Sequence, residues 1–385
     1  MLASSSSLPS PFRARLATAV FFFVSGFGFS TWASRIPTIQ QHLGLNEAQL
    51  GGVLLALPAG LMLTLPVTGA LLQRHSSRSV MLVGAILYNI MLGALGFVEH
   101  TWQLVAVLFC FGCSRNLLNI SVNAQSVGVQ GLYSRPILAT FHGVWSVAGF
   151  AAAGVSALLI PANVSLPVHM VVVSVLLTGV AFSFYPSTLT LQPKPQTQKT
   201  GFTLPDKTLL RFGLIAFTSM ACEGTMYDWS SIYFAKAVHA PKEIVTVGYT
   251  AYMVAMTTGR FSGDWLVSRL GIRQMLRYSG FLVSLGLLLA AAVPQVLPAG
   301  LGFVMVGLGI SCVVPLVFGM AGKSSKLGSG SAIAAVSTVG YFGFLIVPPV
   351  VGFVAEAANL RWSLALMSVL GAVMVAMVWN LKEPT

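Results

Sequence analysis

Apolar runs of about 20 residues follow one another along this chain, and they decide what solvent it folds in. Read as spans, they are Ala14–Ala33, Ala48–Leu72, Val80–Val98, Gln103–Ala124, Ile137–Ile160, Leu166–Tyr185, Leu209–Phe234, Ile244–Val267, Met275–Val293, Leu297–Gly319, Ser331–Gly352 and Trp362–Trp379. Each is close to the ~20 residues that an α-helix needs to cross the hydrocarbon core of a bilayer. Only 8% of the 385 residues are charged and 56% are hydrophobic, whereas a soluble domain carries about 25% charged residues. The expectation is an all-α polytopic membrane protein with these twelve runs as transmembrane helices.

The net charge of +12 raises the question of a polyanionic partner. The placement of the charges answers it. With the N-terminus inside, outer segments hold Arg35, Lys236, Lys242 and Arg361, and Arg115 and Arg260 lie within spans. All the other Lys and Arg residues fall in inner loops and tails. This positive-inside pattern places both termini in the cytoplasm of a bacterial inner membrane and removes the need for nucleic acid. The N-terminal stretch MLASSSSLPSPFRAR resembles a signal-anchor flank. The apolar run after it is too long for a signal-peptide core, so no cleavage is expected.

Pro186–Lys207 is the only long polar stretch, rich in Pro, Gln, Thr and Lys, as suits an exposed linker. It divides the chain into an N-terminal six-helix bundle (1–185), a cytoplasmic linker (186–207) and a C-terminal six-helix bundle (208–385). The halves are weakly alike: STWASRIPTI near the end of the first span aligns with YDWSSIYFAK near the end of the seventh. The cysteines Cys110, Cys113, Cys222 and Cys312 all fall in spans and read as small packing residues. No further ligands accompany the C-x-x-C, so neither a metal nor any other cofactor is expected. There is no Walker-type glycine loop and no hydrolase or kinase constellation, so the chain is not read as an enzyme.

Two six-span halves, a basic central linker and a Gly-to-Arg loop after the second and eighth spans resemble the major facilitator superfamily along essentially the whole chain. The segment GRFSGDWLVSRLGIR (Gly259–Arg273) is similar to the family's G-x-x-x-D-R-x-G-R-R signature, with Ser268, and Gln73 in the first half, where the family has Asp. TWASRIPTI, SVNAQSVGV, FHGVWSVAG, CEGTMYDW and STVGYFGFLIVPPVVG resemble the group typified by the inner-membrane protein YbjJ and the rhizopine-associated permease, distantly similar to fucose permeases. Where relatives carry acids in the fourth span, Asn119 and Gln125 stand here. The resemblance implies alternating access around a midplane site lined by spans one, four, seven and ten.

Charged side chains inside a bilayer are costly and mark candidate functional sites. Glu223, midway along the seventh span, and Asp228, nearer the outside, are the candidate proton-coupling acids. Five residues turn a helix by about 140°, so an unbroken helix does not aim both at one spot; Gly224 could break it. The bland alternative is a packed, permanently paired or protonated acid. Arg115, Asn116, Asn119 and Asn123 form a polar stripe on the fourth span, either a binding wall or an interhelical seam. His142 and Trp145 in the fifth span, Trp32 and Trp229 at matching outer positions, and Tyr227 and Tyr341 complete the candidate substrate contacts. Arg35, Arg74, Arg260, Asp264 and Arg269 are candidate gating residues, with Arg35 set to meet Asp228 and Arg260 set to pair with Asp264.

The resulting expectation is a secondary transporter, a monomer in the family's habit, that moves a small sugar-like or polyol-like solute by proton symport. Its partners are the solute, protons and the lipid bilayer. The proposed switch is a Glu223 proton that releases Arg115. Two other readings stand: a proton-linked exporter of lipophilic amines, and a non-transporting sensor or partner subunit.

Overall fold

The computed structural model describes residues 9–134, 137–190, 206–324, 329–379 and 381. Residues 191–205 of the linker, Arg135 and the side chain of Asp264 lie outside the described residues. The described residues form α-helices with short connections and no strand. In order they are α1 (Pro11–Leu43), α2 (Glu47–Leu54), α3 (Ala56–Arg74), α4 (Ser77–Ala94), α5 (Thr101–Gln130), α6 (Leu138–Leu159) and α7 (Leu166–Phe184). There follow α8 (Lys207–Lys236), α9 (Val247–Leu270), α10 (Ile272–Ala292), α11 (Val296–Ile310), α12 (Val313–Ser324), α13 (Ser329–Ala357) and α14 (Leu360–Trp379).

Ten helical segments among the described residues are long and apolar enough to cross a membrane. Two of these are broken helices, α2 with α3 and α11 with α12. Proline explains both breaks. Pro58 has no N–H to offer the carbonyl of Leu54, and Pro315 has none for Ser311. Helices α8 and α9, of 30 and 24 residues, are also long enough to cross, and with the ten they match the twelve expected runs.

Helix ends follow local chemistry more than hydropathy does. Asn46 caps α2 in a capping box with Gln49, and Asp206 caps α8 by accepting from the Leu209 N–H at 2.8 Å. Gly271 joins α9 to α10 at φ +78°, a conformation that favours glycine. One expectation is corrected here. The first apolar run ends at Ala33, but α1 continues through Pro37 to Leu43. Arg35 therefore sits inside a helix and not in a connecting loop. It is buried, and its guanidinium donates to the Val164 carbonyl at 2.9 Å, which satisfies part of the charge that hydropathy counts against a helix.

The chain divides into two compact units. Unit 1 holds Met1–Trp32, Ala59–Ala152 and Ser165–Thr197. Within it α4 packs on α5 and α7. Tyr88 stacks on Phe111 at 4.5 Å and donates to the Ser25 carbonyl at 3.0 Å. Unit 2 holds Ala33–Pro58, Ala153–Val164 and Gln198–Thr385. Its core gathers Phe212, Ile215, Val313, Val317, Val336 and Met374. Here α13 packs on both α8 and α2. The α2 contact is backbone to backbone: a Cβ on Gly51 would lie 2.5 Å from the Pro348 carbonyl oxygen. Lys236 and Glu47 form an ion pair at 2.6 Å in the same unit.

Candidate functional site

Unit 2 builds a polar cluster from α8 and α9. Helix α8 is continuous from Lys207 to Lys236, so Gly224 does not break it. A Cβ at Gly224 would meet the Phe344 ring at 3.0 Å, and this glycine serves close packing of α13. An unbroken helix keeps Glu223 and Asp228 about 140° apart, and their roles separate.

Glu223 is nearly enclosed, its side chain 12% exposed. The Tyr227 hydroxyl, one turn on, donates to Glu223 Oε1 at 2.8 Å. The Arg260 guanidinium of α9 lies 3.6 Å from the same oxygen. That is longer than the ~2.7–2.9 Å of a tight charge-assisted bond, so the guanidinium acts mainly through its field. Around this acid stand Tyr249 and Tyr252, edge-on to Tyr227 at 6.5 and 5.8 Å. The Tyr252 hydroxyl reaches Met256 Sδ at 3.3 Å. Tyr249, Tyr252, Met256 and Arg260 recur at steps of three and four, so one face of α9 turns toward α8. The sequence reading missed Tyr249, Tyr252 and Met256, although this spacing was the signal for them. The carboxylate is thus held by one hydrogen bond from a phenol and by the charge of one guanidinium.

Unit 1 gathers a cation and aromatic rings from α1, α5 and α6. Arg115 lies over the Phe29 ring at 4.1 Å, and Trp145 stacks with Phe29 at 6.4 Å. His142 meets Phe22 edge-on at 5.3 Å. Phe29 was not among the expected site residues; an apolar residue in an apolar run carries no signal of its own. The partner given to Arg115 in unit 1 is thus Phe29, and the ionic partner given to Glu223 in unit 2 is Arg260.

The Asn stripe divides. Asn116 is buried and its amide donates to Thr68 Oγ1 at 2.9 Å, an interhelical bond between α5 and α3. Asn119 and Asn123 are partly exposed and bond to each other at 3.2 Å along α5. Trp32 and Trp229 are fully buried, and neither indole N–H has an acceptor among the described residues. They are not anchors at a lipid surface. Tyr341 tilts against Phe344 at 6.5 Å. Asp228 is partly exposed. Arg74 ends α3 in an exposed position, and Arg269, also exposed, lies over Trp265 at 4.8 Å.

The chain is 30% identical over 348 residues to an uncharacterized MFS-type transporter of Yersinia pestis, covering 90% of each. It is 28% identical to the membrane protein MosC of Rhizobium meliloti, over 93% of this chain and 87% of that protein. Among solved structures, the nucleoside transporter NupG superposes with a TM-score of 0.77 at 15% identity, over 95% of this chain and 100% of that one. The Escherichia coli fucose:proton symporter FucP does so with a TM-score of 0.64 at 18% identity, over 94% and 97%. At such identities the structures speak for the fold alone. The family model of the Major Facilitator Superfamily matches residues 18–326 and 211–385, and the chain belongs to that superfamily of membrane transporters.

Proposed function

We propose that this transporter imports a small polar, hydroxylated solute together with protons, by alternating access, across the inner membrane of a bacterium with both termini in the cytoplasm. The observation that carries the reading is Glu223, an acid enclosed within a membrane helix and held by Tyr227 and Arg260. An intramembrane acid that is paired but not rigidly clamped suits reversible protonation. A proton on Glu223 neutralises the carboxylate, releases Arg260 from its field and lets α9 move against α8. Within unit 2 the switch we infer works through Arg260. Arg115, Asn119, Asn123 and Trp145 then remain for the solute: a cation, amides for hydroxyl groups and an aromatic face. The likeness to NupG, a nucleoside transporter, and FucP, a fucose:proton symporter, favours a solute of the same broad kind.

A thermal-shift screen of the purified protein supplies the ligand. The panel comprises sugars, polyols, inositols, nucleosides, amino sugars and lipophilic cations. A ligand at 100 times its Kd adds about 2.7 kcal/mol to stability. Transport of the hit into proteoliposomes is then followed as a function of pH. Glu223→Gln is expected to keep binding and to abolish the pH dependence. A pH dependence that survives Glu223→Gln rejects proton coupling through this acid, and hits confined to lipophilic cations reject the import of a polar solute.

A further inference from the structure

Side chains also hold backbone groups outside the candidate site. At the end of α14, Arg211 donates to the Met377 carbonyl, and Arg273 and Arg277 donate to that of Trp379. These bonds tie helix to helix. In unit 1 the tie is of another kind: a buried side chain holds the start of the linker.

Helix α7 gives way to a single 3₁₀ turn, Tyr185–Ser187, and the backbone at Thr188 is extended. Connecting segments usually run over the surface, yet Thr188 and Leu189 are 1% and 5% exposed. A buried peptide needs partners for its N–H and its C=O. Gln125 of α5, itself fully buried, serves both groups of Leu189. Its Oε1 accepts from the Leu189 N–H at 3.2 Å, and its Nε2 donates to the Leu189 carbonyl at 2.8 Å. The same Nε2 donates to Ser77 Oγ at 2.9 Å, at the start of α4. A primary amide suits this task because it carries an acceptor and two donors at one end. One residue further along each segment, Arg78 donates to Thr190 Oγ1 at 3.1 Å, and its guanidinium lies over the Tyr185 ring at 4.3 Å.

This clasp sits behind the polar face of α5. Two residues turn a helix by about 200°, so Asn123, partly exposed, and Gln125, buried, point to nearly opposite sides. Asn119 and Asn123 bond to each other on the first side. The last turns of α5 therefore carry the Asn pair in front and the linker behind.

We propose that residues 185–190 form a strap, buckled by Gln125 and Arg78, that braces the last turns of α5 against α4 and holds the Asn119–Asn123 pair in place. A passive tether would only be attached there. A brace is felt by the helix that it holds, and hydrogen exchange separates the two.

The full-length protein in detergent is followed by backbone hydrogen exchange and mass spectrometry. In the wild type, Leu189 is expected to exchange about a hundredfold more slowly than in a free peptide of the same sequence, as a bonded, buried amide does. Arg78→Gln leaves α5 untouched and loosens the strap from α4. It is expected to speed exchange about tenfold at Leu189 and also in residues 119–130 of α5. Gln125→Leu strands both Leu189 groups and is expected to act more strongly at Leu189; if it does not fold, Arg78→Gln decides. Fast exchange at Leu189 in the wild type, no change in Arg78→Gln, or a change confined to residues 185–190 would each overturn the brace.

Discussion

At the scale of single residues, the chemistry converges on one oxygen. Glu223 Oε1 accepts from Tyr227 and faces Arg260. A hydrogen bond to a charged group contributes roughly 1.5–3 kcal/mol. Tyr227→Phe removes that donor, so the pH profile of transport is expected to change; an unchanged profile in a proteoliposome pH series would take Tyr227 out of the switch. In unit 1, Phe29→Leu takes the ring from beneath Arg115. A cation–π contact is worth about 0.5–2 kcal/mol. The variant should lose no more than this in thermal stability, while the ligand-induced shift shrinks. Glu223 was legible in the sequence because an acid in an apolar run stands out. Its partners were not. Arg260 looked local to α9 because Asp264 lies one turn away, and only the packing of α9 against α8 puts it beside Glu223.

Between elements, close approach is set by glycine, and two neighbours on α2 test it in opposite directions. A Cβ at Gly51 would strike the Pro348 carbonyl of α13 at 2.5 Å, whereas one at Gly52 meets nothing within 4 Å. Gly51→Ala is expected to destabilise by about 1–3 kcal/mol through overpacking. Gly52→Ala is expected to stabilise by about 0.5–1 kcal/mol, the usual gain of Ala over Gly in a helix. Thermal unfolding of the two variants in one detergent checks both, and equal shifts would contradict the packing of α2 on α13. By contrast the Lys236–Glu47 pair is partly exposed and is worth at most about 1 kcal/mol. Hydropathy located the helices but not their ends. The caps of α2 and α8 and the proline breaks are local chemistry that a sliding apolar window averages away. Within the ten extra residues of α1, Arg35 bonds the Val164 carbonyl, 129 positions along the chain, a contact that no apolar window registers.

For the molecule as a whole, the apolar runs carried nearly all the information about architecture. Lipid demands that backbone groups bond internally, so a chain with this pattern has few alternatives to membrane helices, and the family match agrees. Orientation rests on the basic residues. Fusing a fluorescent protein that matures only in the cytoplasm to the C-terminus is expected to give a fluorescent product; a dark product, with an active periplasmic phosphatase fusion at the same place, would invert the topology proposed here.

The arginines at the end of α14 bear on the order of assembly. Arg211 belongs to α8 and Arg273 and Arg277 to α10, and both helices leave the ribosome before α14 does. The carbonyls of Met377 and Trp379 thus find their donors already waiting, and the last helix docks onto a prepared socket. Until it docks, those three bonds cannot form, and a chain shortened before Met377 never forms them. Cutting the chain before Met377 should therefore lower the amount that accumulates in the membrane far more than the few apolar residues lost would suggest.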